Sequence, residues 1–213
     1  MADSPRLPRT QVFRPLRGYR ALCAMAGPVA ELCRRVGPPR LPKLPSCFQA
    51  VCGSIVSQQL SGKAADTIFG RFLALFAPPL TPAKVLRTPV PRLRQAGLSQ
   101  AKALAVHDLA RKVEAGVVDF DELPRLSDDE VIARLVQVRG IGTWTAQMHL
   151  IFALSRTDVW PIDDLGVRKG MARFLDVPMT ASREHRERAG EPYRPWRSLL
   201  AWYFWRGVAL PEE

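Results

Sequence analysis

The amino-acid sequence predicts an all-α fold, and two observations support this prediction. Apolar residues recur at i, i+3 and i+4 spacing along most of the 213-residue chain, which is the pattern of helices with one buried face. Alternating β-branched and polar residues, which would indicate strands, are nearly absent. With 47% hydrophobic positions the chain can form a buried core, and its length suits one or two domains.

The first half of the chain is predicted to hold an arm and a series of helices. Residues 1–17 form a basic, proline-containing arm, and one helix follows as far as Val36. Apolar spacing then predicts helices over residues 45–59 and 61–76. A proline-rich connector leads to a helix that Ser99 opens as its N-cap. The connector contains Pro78, Pro79, Pro82, Pro89 and Pro91.

Helices are also predicted through most of the second half. Ser127 and Glu130 form a capping box, and residues 143–154 form the next, strongly apolar helix. Pro161 and acidic residues open a helix over residues 163–175. The remaining segments are a charged, exposed stretch over residues 181–194 and a tryptophan-rich helix over residues 196–208.

The charge balance indicates a polyanionic partner. Lys and Arg number 31 against 20 Asp and Glu, which gives a net charge of +11. Nucleic acid is the commonest polyanion for a basic domain. No apolar run approaches the ~18–20 residues of a membrane span, so no membrane partner is expected. The richness in Arg, Ala and Pro is typical of a GC-rich bacterial genome, and we expect a cytoplasmic, nucleoid-associated monomer.

Neither the cysteines nor the histidines have the spacing of a metal site. No C-x-x-C occurs, and a chain of this size needs no disulfides, so free thiols in a reducing compartment are expected. The histidines are interpreted as structural. The residues concerned are Cys23, Cys33, Cys47, Cys52, His107, His149 and His185.

The most specific segment consists of a helix, two glycines around Ile141, and a second helix. Gly140 and Gly142 allow a tight turn and a close approach of a ligand to the backbone. The amides that open the second helix, with the positive end of its dipole behind them, form a site for an anion such as a DNA phosphate. Thr145 is a candidate for a further phosphate contact. A plain αα-hairpin is the alternative interpretation.

Three further motifs accompany this hairpin. They read I-V-S-Q-Q-L-S at 55–61, P-I-D-D-L-G-V-R-K-G at 161–170 and P-W-R-S at 195–198. In this order the four segments resemble the helix–hairpin–helix DNA glycosylases that carry a Gly/Pro-rich loop and a catalytic aspartate. Within that superfamily they are most similar to the alkylation-repair branch, the 3-methyladenine DNA glycosylase II type. The resemblance extends over residues 45–208.

The resemblance implies two helical lobes with an active-site cleft between them. The central lobe would comprise residues 46–150 and contain the hairpin. The second lobe would combine residues 18–45 with residues 151–213. The extra N-terminal β-containing domain of the best-known relatives is not expected here.

Asp164 is the catalytic residue that the resemblance implies. A carboxylate at that place would stabilise the positive charge that develops at C1′ of the deoxyribose, and would direct water. The alternative is an aspartate at the helix start that pairs with Arg168 one turn on. The neighbouring Asp163 is expected to be the N-cap of this helix.

The resemblance also implies a pocket for the extruded base. Trp144 stands where bifunctional members have the lysine that forms a Schiff base, so the chain is expected to be monofunctional. The indole of Trp144 suits a cationic purine. Trp205 matches the aromatic residue that stacks on the base, with core packing as its alternative. Met148 stands where well-known relatives have a tyrosine, which leaves the substrate range open.

Two further sites follow from the resemblance. Gln59 or Leu60 would fill the gap that a flipped base leaves in the duplex, and a helix-capping role is the alternative for Gln59. The backbone carbonyls of Val136, Val138 and Gly140 would hold a monovalent cation, Na⁺ or K⁺. No C-terminal cysteine cluster occurs, so an iron–sulfur cluster is not expected, nor is any other cofactor.

The sequence thus predicts an enzyme of base excision repair. It would flip alkylated purines out of duplex DNA, hydrolyse the N-glycosidic bond and leave an abasic site. A glycosylase for hypoxanthine or a mismatched base is one alternative. A non-catalytic hairpin module that only holds DNA is another.

Overall fold

The computed structural model describes residues 15–41, 44–45 and 47–211, and every regular element in these ranges is a helix. The predicted all-α fold is therefore confirmed for the described chain. Twelve α-helices occur in these ranges, with two 3₁₀ turns at Leu123–Arg125 and Glu191–Tyr193. The α-helices are α1 (Pro15–Ala24), α2 (Pro28–Val36), α3 (Phe48–Ser57), α4 (Gly62–Leu73), α5 (Pro82–Arg87), α6 (Val90–Gln95), α7 (Gln100–Glu114), α8 (Asp128–Leu135), α9 (Thr143–Phe152), α10 (Leu165–Phe174), α11 (Arg183–Gly190) and α12 (Arg197–Gly207).

The described chain forms two compact units. The first unit comprises residues 44–45 and 47–149, and the second combines residues 15–41 with residues 150–211. None of the helices in the described ranges is long and apolar enough to cross a membrane.

Helix α7 is the centre of the first unit. It packs against α3, α5 and α6, and α3 also packs against α4. Val51 and Ile55 of α3 and Val106 and Leu109 of α7 are buried, as their helical spacing predicts. Each such aliphatic side chain contributes ~1.5–3 kcal/mol when it is buried. This packing anchors the segments at the ends of α3 and α7.

The proline-rich connector contains two short helices, which the sequence analysis did not predict. Pro82 is the first residue of α5, and Pro91 lies in the first turn of α6. Proline fits these positions because its fixed φ is helical and because first-turn amides need no acceptor within the helix. Thr81 caps α5 by accepting a hydrogen bond from the Lys84 amide.

Helix α12 is the centre of the second unit and packs against α1, α2 and α10. A helix surrounded in this way shows little hydrophobic periodicity, because most of its faces are covered. The Tyr203 hydroxyl donates to the Gly37 carbonyl oxygen at 2.9 Å. Six consecutive apolar residues of α12 are buried: Leu199, Leu200, Ala201, Trp202, Tyr203 and Phe204.

The prediction of a single helix that ends at Val36 is wrong, because residues 15–36 form two helices, α1 and α2. Pro28 is the first residue of α2, a position that proline tolerates, whereas inside a longer helix its ring would break the hydrogen bonding. Of the predicted arm, residues 1–14 lie outside the described residues. Residues 15–17 belong to α1, so the predicted end of the arm is also wrong.

The stretch over residues 181–194 was predicted to be charged and exposed, and it contains α11. Ser182 is the N-cap, and its hydroxyl oxygen accepts a hydrogen bond from the His185 amide at 3.2 Å. Because α11 carries charges around most of its surface, it has no apolar periodicity by which to predict it.

The caps at Ser99 and Ser127 are confirmed, including the reciprocal hydrogen bonds of the Ser127–Glu130 capping box. The other helices are shorter than the segments that predicted them. Apolar side chains continue to pack beyond the last hydrogen-bonded turn, so periodicity overestimates the length of a helix. The affected helices are α3, α4, α9, α10 and α12.

All four cysteines are free thiols, as the sequence analysis expected. Cys33 and Cys52 are buried. Burial raises the pKa of Cys33 to about 12, so this thiol stays protonated at neutral pH.

Candidate functional site

The hairpin of the first unit joins α8 to α9 through residues 136–142, called the hairpin loop below. Val138 and Ile141 are buried and anchor the loop to the core. Gly140 has a φ of +78°, in the left-handed region that favours glycine. The Ala146 amide donates to the Gly142 carbonyl oxygen at 3.1 Å, so α9 begins directly at the exposed glycine. First-turn amides have no acceptor within their own helix, and this end of α9 can therefore present N–H groups to an anion.

Asp108 of α7 holds the hairpin loop from the side. Its Oδ2 accepts a hydrogen bond from the Arg139 amide at 2.8 Å. Arg111 lies 3.3 Å from the same carboxylate, and Lys112 lies 3.9 Å from it. The sequence analysis missed Asp108, since an aspartate followed by basic residues at i+3 and i+4 is typical of a solvated helix surface.

A cleft of about 700 Å³ lies beside the hairpin loop in the first unit. Trp144, at 47% exposure, is one of its walls. The structure thus brings together six predicted site residues, and adds three residues that were not predicted, Ser54, Ser57 and Gln58. The predicted residues that line the cleft are Gln59, Leu60, Gly140, Trp144, Thr145 and Met148, and Gly142 lies next to them in the chain.

Gln58 joins the end of α3 to the hairpin loop. Its side-chain amide donates to the Gly140 carbonyl oxygen at 3.0 Å and to the Thr145 hydroxyl oxygen at 3.5 Å. Helix α3 ends at Ser57, because the ψ of 133° at Gln58 is no longer helical, and Gln59 follows with a φ of +58°. The Leu60 amide donates to the Ser57 carbonyl oxygen at 3.2 Å, so Gln58 and Gln59 form a tight turn after the helix. The side chains of Gln59 and Leu60 are exposed.

The three carbonyls predicted to hold a cation lie within the hairpin loop. The Val138 carbonyl oxygen accepts from the Ile141 amide at 3.0 Å, and the Gly140 carbonyl oxygen accepts from Gln58. Each carbonyl oxygen has two lone pairs, so both keep one for a further partner. Neutral oxygen donors of this kind suit a monovalent cation, and the cation stays a prediction, as does the contribution of Val136.

Asp164 is the N-cap of α10 in the second unit. Its Oδ1 accepts hydrogen bonds from the Val167 amide at 2.8 Å and from the Trp205 indole N–H at 2.7 Å. The expectation that Asp163 caps this helix is wrong. Asp163 is 62% exposed and forms ion pairs with Arg183 at 3.0 Å and Arg186 at 3.1 Å.

Trp205 lies directly against Asp164 because Gly166 has no side chain. A Cβ at Gly166 would lie 2.5 Å from Trp205 Cδ1, closer than the two atoms can approach. The indole also stacks on Phe152, with ring centroids 5.8 Å apart. Trp205 thus orients the Asp164 carboxylate, and its predicted stacking on a base stays a prediction. Trp202, one turn earlier on α12, is buried.

His149 of α9 gives a prediction about pH. It lies against Phe120, and burial lowers its pKa to about 4 from an ordinary value of 6.5. Below pH 6.5 the unfolded chain binds a proton that the folded chain excludes until about pH 4, so the free energy of unfolding falls as the pH falls through this window. We expect this residue to account for a loss of roughly 1–2 kcal/mol between about pH 7.5 and about pH 5.

Urea unfolding of the wild type and of His149→Gln at both pH values measures this loss. The variant lacks the titrating group, so its stability should depend less steeply on pH. Equal pH dependence in the two proteins would contradict the assignment.

The chain is similar to proteins that are already known. The family profile described as "HhH-GPD superfamily base excision DNA repair protein" matches residues 52–195. The chain is 33% identical over 171 residues to DNA-3-methyladenine glycosylase 1 of Schizosaccharomyces pombe, which covers 78% of this chain and 74% of that protein.

Two solved structures agree with the fold. The 3-methyladenine DNA glycosylase of Schizosaccharomyces pombe in complex with abasic DNA has a TM-score of 0.79 and 31% identity, over 91% of this chain and 97% of that chain. The DNA-3-methyladenine glycosidase of Bacillus halodurans has a TM-score of 0.78 and 30% identity, over 90% of this chain and 89% of that chain.

Proposed function

Because the chain belongs to the HhH-GPD superfamily of base excision DNA repair proteins, we propose that it is a monofunctional DNA glycosylase that excises alkylated purines from duplex DNA. The observation that carries this proposal is the Asp164 carboxylate, oriented by the Val167 amide and the Trp205 indole. Relatives that support the substrate are named as 3-methyladenine glycosylases.

The chemistry assigned to Asp164 is hydrolysis of the N-glycosidic bond. The bond between C1′ and the base nitrogen breaks, and water adds its oxygen to C1′ while its proton passes to the carboxylate and then to solvent. An ionised carboxylate stabilises the positive charge that develops on the sugar before water attacks. A purine that already carries a positive charge leaves as a neutral base and needs little acid assistance. The product is an abasic site.

Trp144 supports both the monofunctional reaction and the substrate class. An indole cannot form the Schiff base through which a lysine would cleave the strand. Its exposed face lines the cleft beside Met148, and an aromatic face attracts a cationic ring. We therefore assign positively charged alkylpurines to this cleft.

The hairpin loop is assigned to binding of the DNA backbone. Amides at the start of α9 would contact a phosphate without reading sequence, and the net charge of +11 favours association with duplex DNA. The lesions repaired by such an enzyme lie in the chromosome, and the richness in Arg, Ala and Pro is typical of a GC-rich bacterial genome. We therefore propose that the protein acts on the nucleoid in the cytoplasm of a bacterium.

Single-turnover release of methylated purines from alkylated duplex DNA tests the proposal. We expect the wild type to release 3-methyladenine and to leave intact strands that break only on heating in alkali. The logarithm of the association constant for the duplex should fall linearly with the logarithm of the salt concentration, with a slope near −0.9 per phosphate contact. Release of hypoxanthine or of a mismatched base in place of methylated purines would favour the first alternative, and duplex binding without any release would favour the non-catalytic module.

A further inference from the structure

Two loops of the first unit are hydrogen-bonded to the same helix, α7. One is the hairpin loop, and the other is the segment of residues 58–61 between α3 and α4, called the α3–α4 loop below. Lys102 and Asp108, both on α7, each bind one of these loops. Neither residue was singled out as a site in the sequence.

Lys102 binds the end of α3. Its ammonium group donates to the carbonyl oxygens of Val56 and Gln58, both at 2.8 Å. The last carbonyls of a helix have no donor within it, and a cation is favourable at this negative end of the helix dipole. The Lys102 ammonium therefore fixes the backbone at the point where α3 ends and the α3–α4 loop begins.

Gln58 then connects the α3–α4 loop to the hairpin loop. Its backbone carbonyl is bound by Lys102, while its side-chain amide donates to the Gly140 carbonyl oxygen. Asp108 binds the Arg139 amide of the same hairpin loop. The contacts thus run from α7 to one loop, across to the other loop and back to α7.

The tip of the α3–α4 loop holds Gln59 and Leu60. Gln59 has a left-handed backbone, which is unfavourable for a residue with a side chain and persists only where the surrounding structure imposes it. The residue before it is held by both Lys102 and Gly140. Both tip side chains are exposed. These hydrogen bonds, called the brace below, therefore fix the backbone that carries two exposed side chains, which lowers the entropic cost of ordering the loop when it binds.

We infer that Lys102 is a positioning residue, which holds the tip of the α3–α4 loop ready to fill the gap that an extruded base leaves in the duplex. This inference rests on the proposed function, because it takes base extrusion as the step that is served. Lys102 acts through Gln59 or Leu60 and does not touch the reacting atoms.

Binding of two duplexes tests this role without any base release. One duplex carries a tetrahydrofuran abasic analogue, and the other is the same duplex intact. Lys102→Met removes the ammonium and keeps most of the stem. We expect it to lower the preference for the abasic duplex about tenfold, and Lys102→Arg to recover much of that preference, because a guanidinium can also donate to two carbonyl oxygens.

Arg71→Met is the matched control, since it removes one positive charge from the exposed part of α4 in the same unit. It should bind both duplexes like the wild type. An unchanged abasic preference in Lys102→Met would overturn the inference. An equal loss of affinity for both duplexes would overturn it as well, because the ammonium would then act only as a charge.

Gln58→Met provides a second route if Lys102→Met does not fold. It deletes the donors to the hairpin loop with little change in size, and the same loss of abasic preference is expected, whereas full retention would contradict the brace. Failure of the proposed function is distinguishable. A wild type that prefers the abasic duplex, loses that preference in Lys102→Met and releases no base would refute the glycosylase while leaving the brace supported.

Discussion

Asp164→Asn is expected to lower the single-turnover rate of base excision by about 10²–10⁴-fold. The change removes the negative charge that would stabilise the sugar cation. It keeps an oxygen that can accept from both Val167 and Trp205, since both donors bind the same carboxylate oxygen. Asparagine is also as good an N-cap as aspartate. Stability and shape should therefore be preserved while the chemistry is lost.

Three measurements check this result. The rate of purine release gives the effect on chemistry, affinity for an abasic duplex gives the effect on binding, and the urea midpoint gives the effect on folding. Asp163→Asn is a matched control, because that carboxylate lies one residue away and is occupied by ion pairs with Arg183 and Arg186. The pair with Arg183 is exposed and contributes only ~0–1 kcal/mol, whereas Arg186 is 14% exposed, so this control should remain active with a modest loss of folding stability. A fully active Asp164→Asn protein would exclude Asp164 as the catalytic group.

Gly166→Ala is expected to lower the excision rate by about tenfold to 100-fold, because it displaces the indole that orients Asp164. The new methyl group would lie 2.5 Å from Trp205 Cδ1 and 3.2 Å from Asp164 Oδ1. Trp205 would have to move, and its hydrogen bond to the carboxylate would be lost or bent. Overpacking of this kind also costs ~1–3 kcal/mol of folding stability.

Trp205→Phe separates the hydrogen bond from the steric clash. It keeps an aromatic ring that can stack on Phe152 or on a base, and it removes the N–H donor together with one ring of the indole. A reduced rate in both variants, at similar affinity for abasic DNA, would assign the effect to the orientation of Asp164. Gly70→Ala is the matched control, since a Cβ there meets nothing within 4 Å among the described residues. If Gly166→Ala were as active as Gly70→Ala, the close contact would have no functional role.

Most of the longer helices, and the starts at Ser99 and Ser127, could be predicted from the sequence because they depend on neighbouring residues. Apolar spacing within α3 and α7 produces one buried face, and the Ser127–Glu130 capping box forms within a single turn. The hairpin was predictable for the same reason. The two short helices in the proline-rich connector were missed, because its prolines were interpreted as helix breakers. Pro82 and Pro91 instead lie in the first turns of α5 and α6, where proline is tolerated.

The assignment of the two adjacent aspartates shows where local reasoning fails. Either Asp163 or Asp164 could cap a helix that starts at the next residues. Arg183 and Arg186 engage Asp163 from 20 and 23 residues away, and Trp205 reaches Asp164 from 41 residues away. The choice between the two carboxylates is thus made by partners on α11 and α12, which no local pattern around residue 164 identifies.

The sequence by itself determined the all-α class, the hairpin with its two glycines, and the residue types that the proposed chemistry needs. The tertiary structure alone decided how these residues are held. Gln58 reaches Gly140 across 82 residues, Lys102 reaches Gln58 across 44, and Asp108 reaches Arg139 across 31. Helical periodicity and capping arise from contacts within a turn or two, whereas these hydrogen bonds exist only after α3, α7 and α9 have packed, and so the positioning of the site is a property of the folded chain.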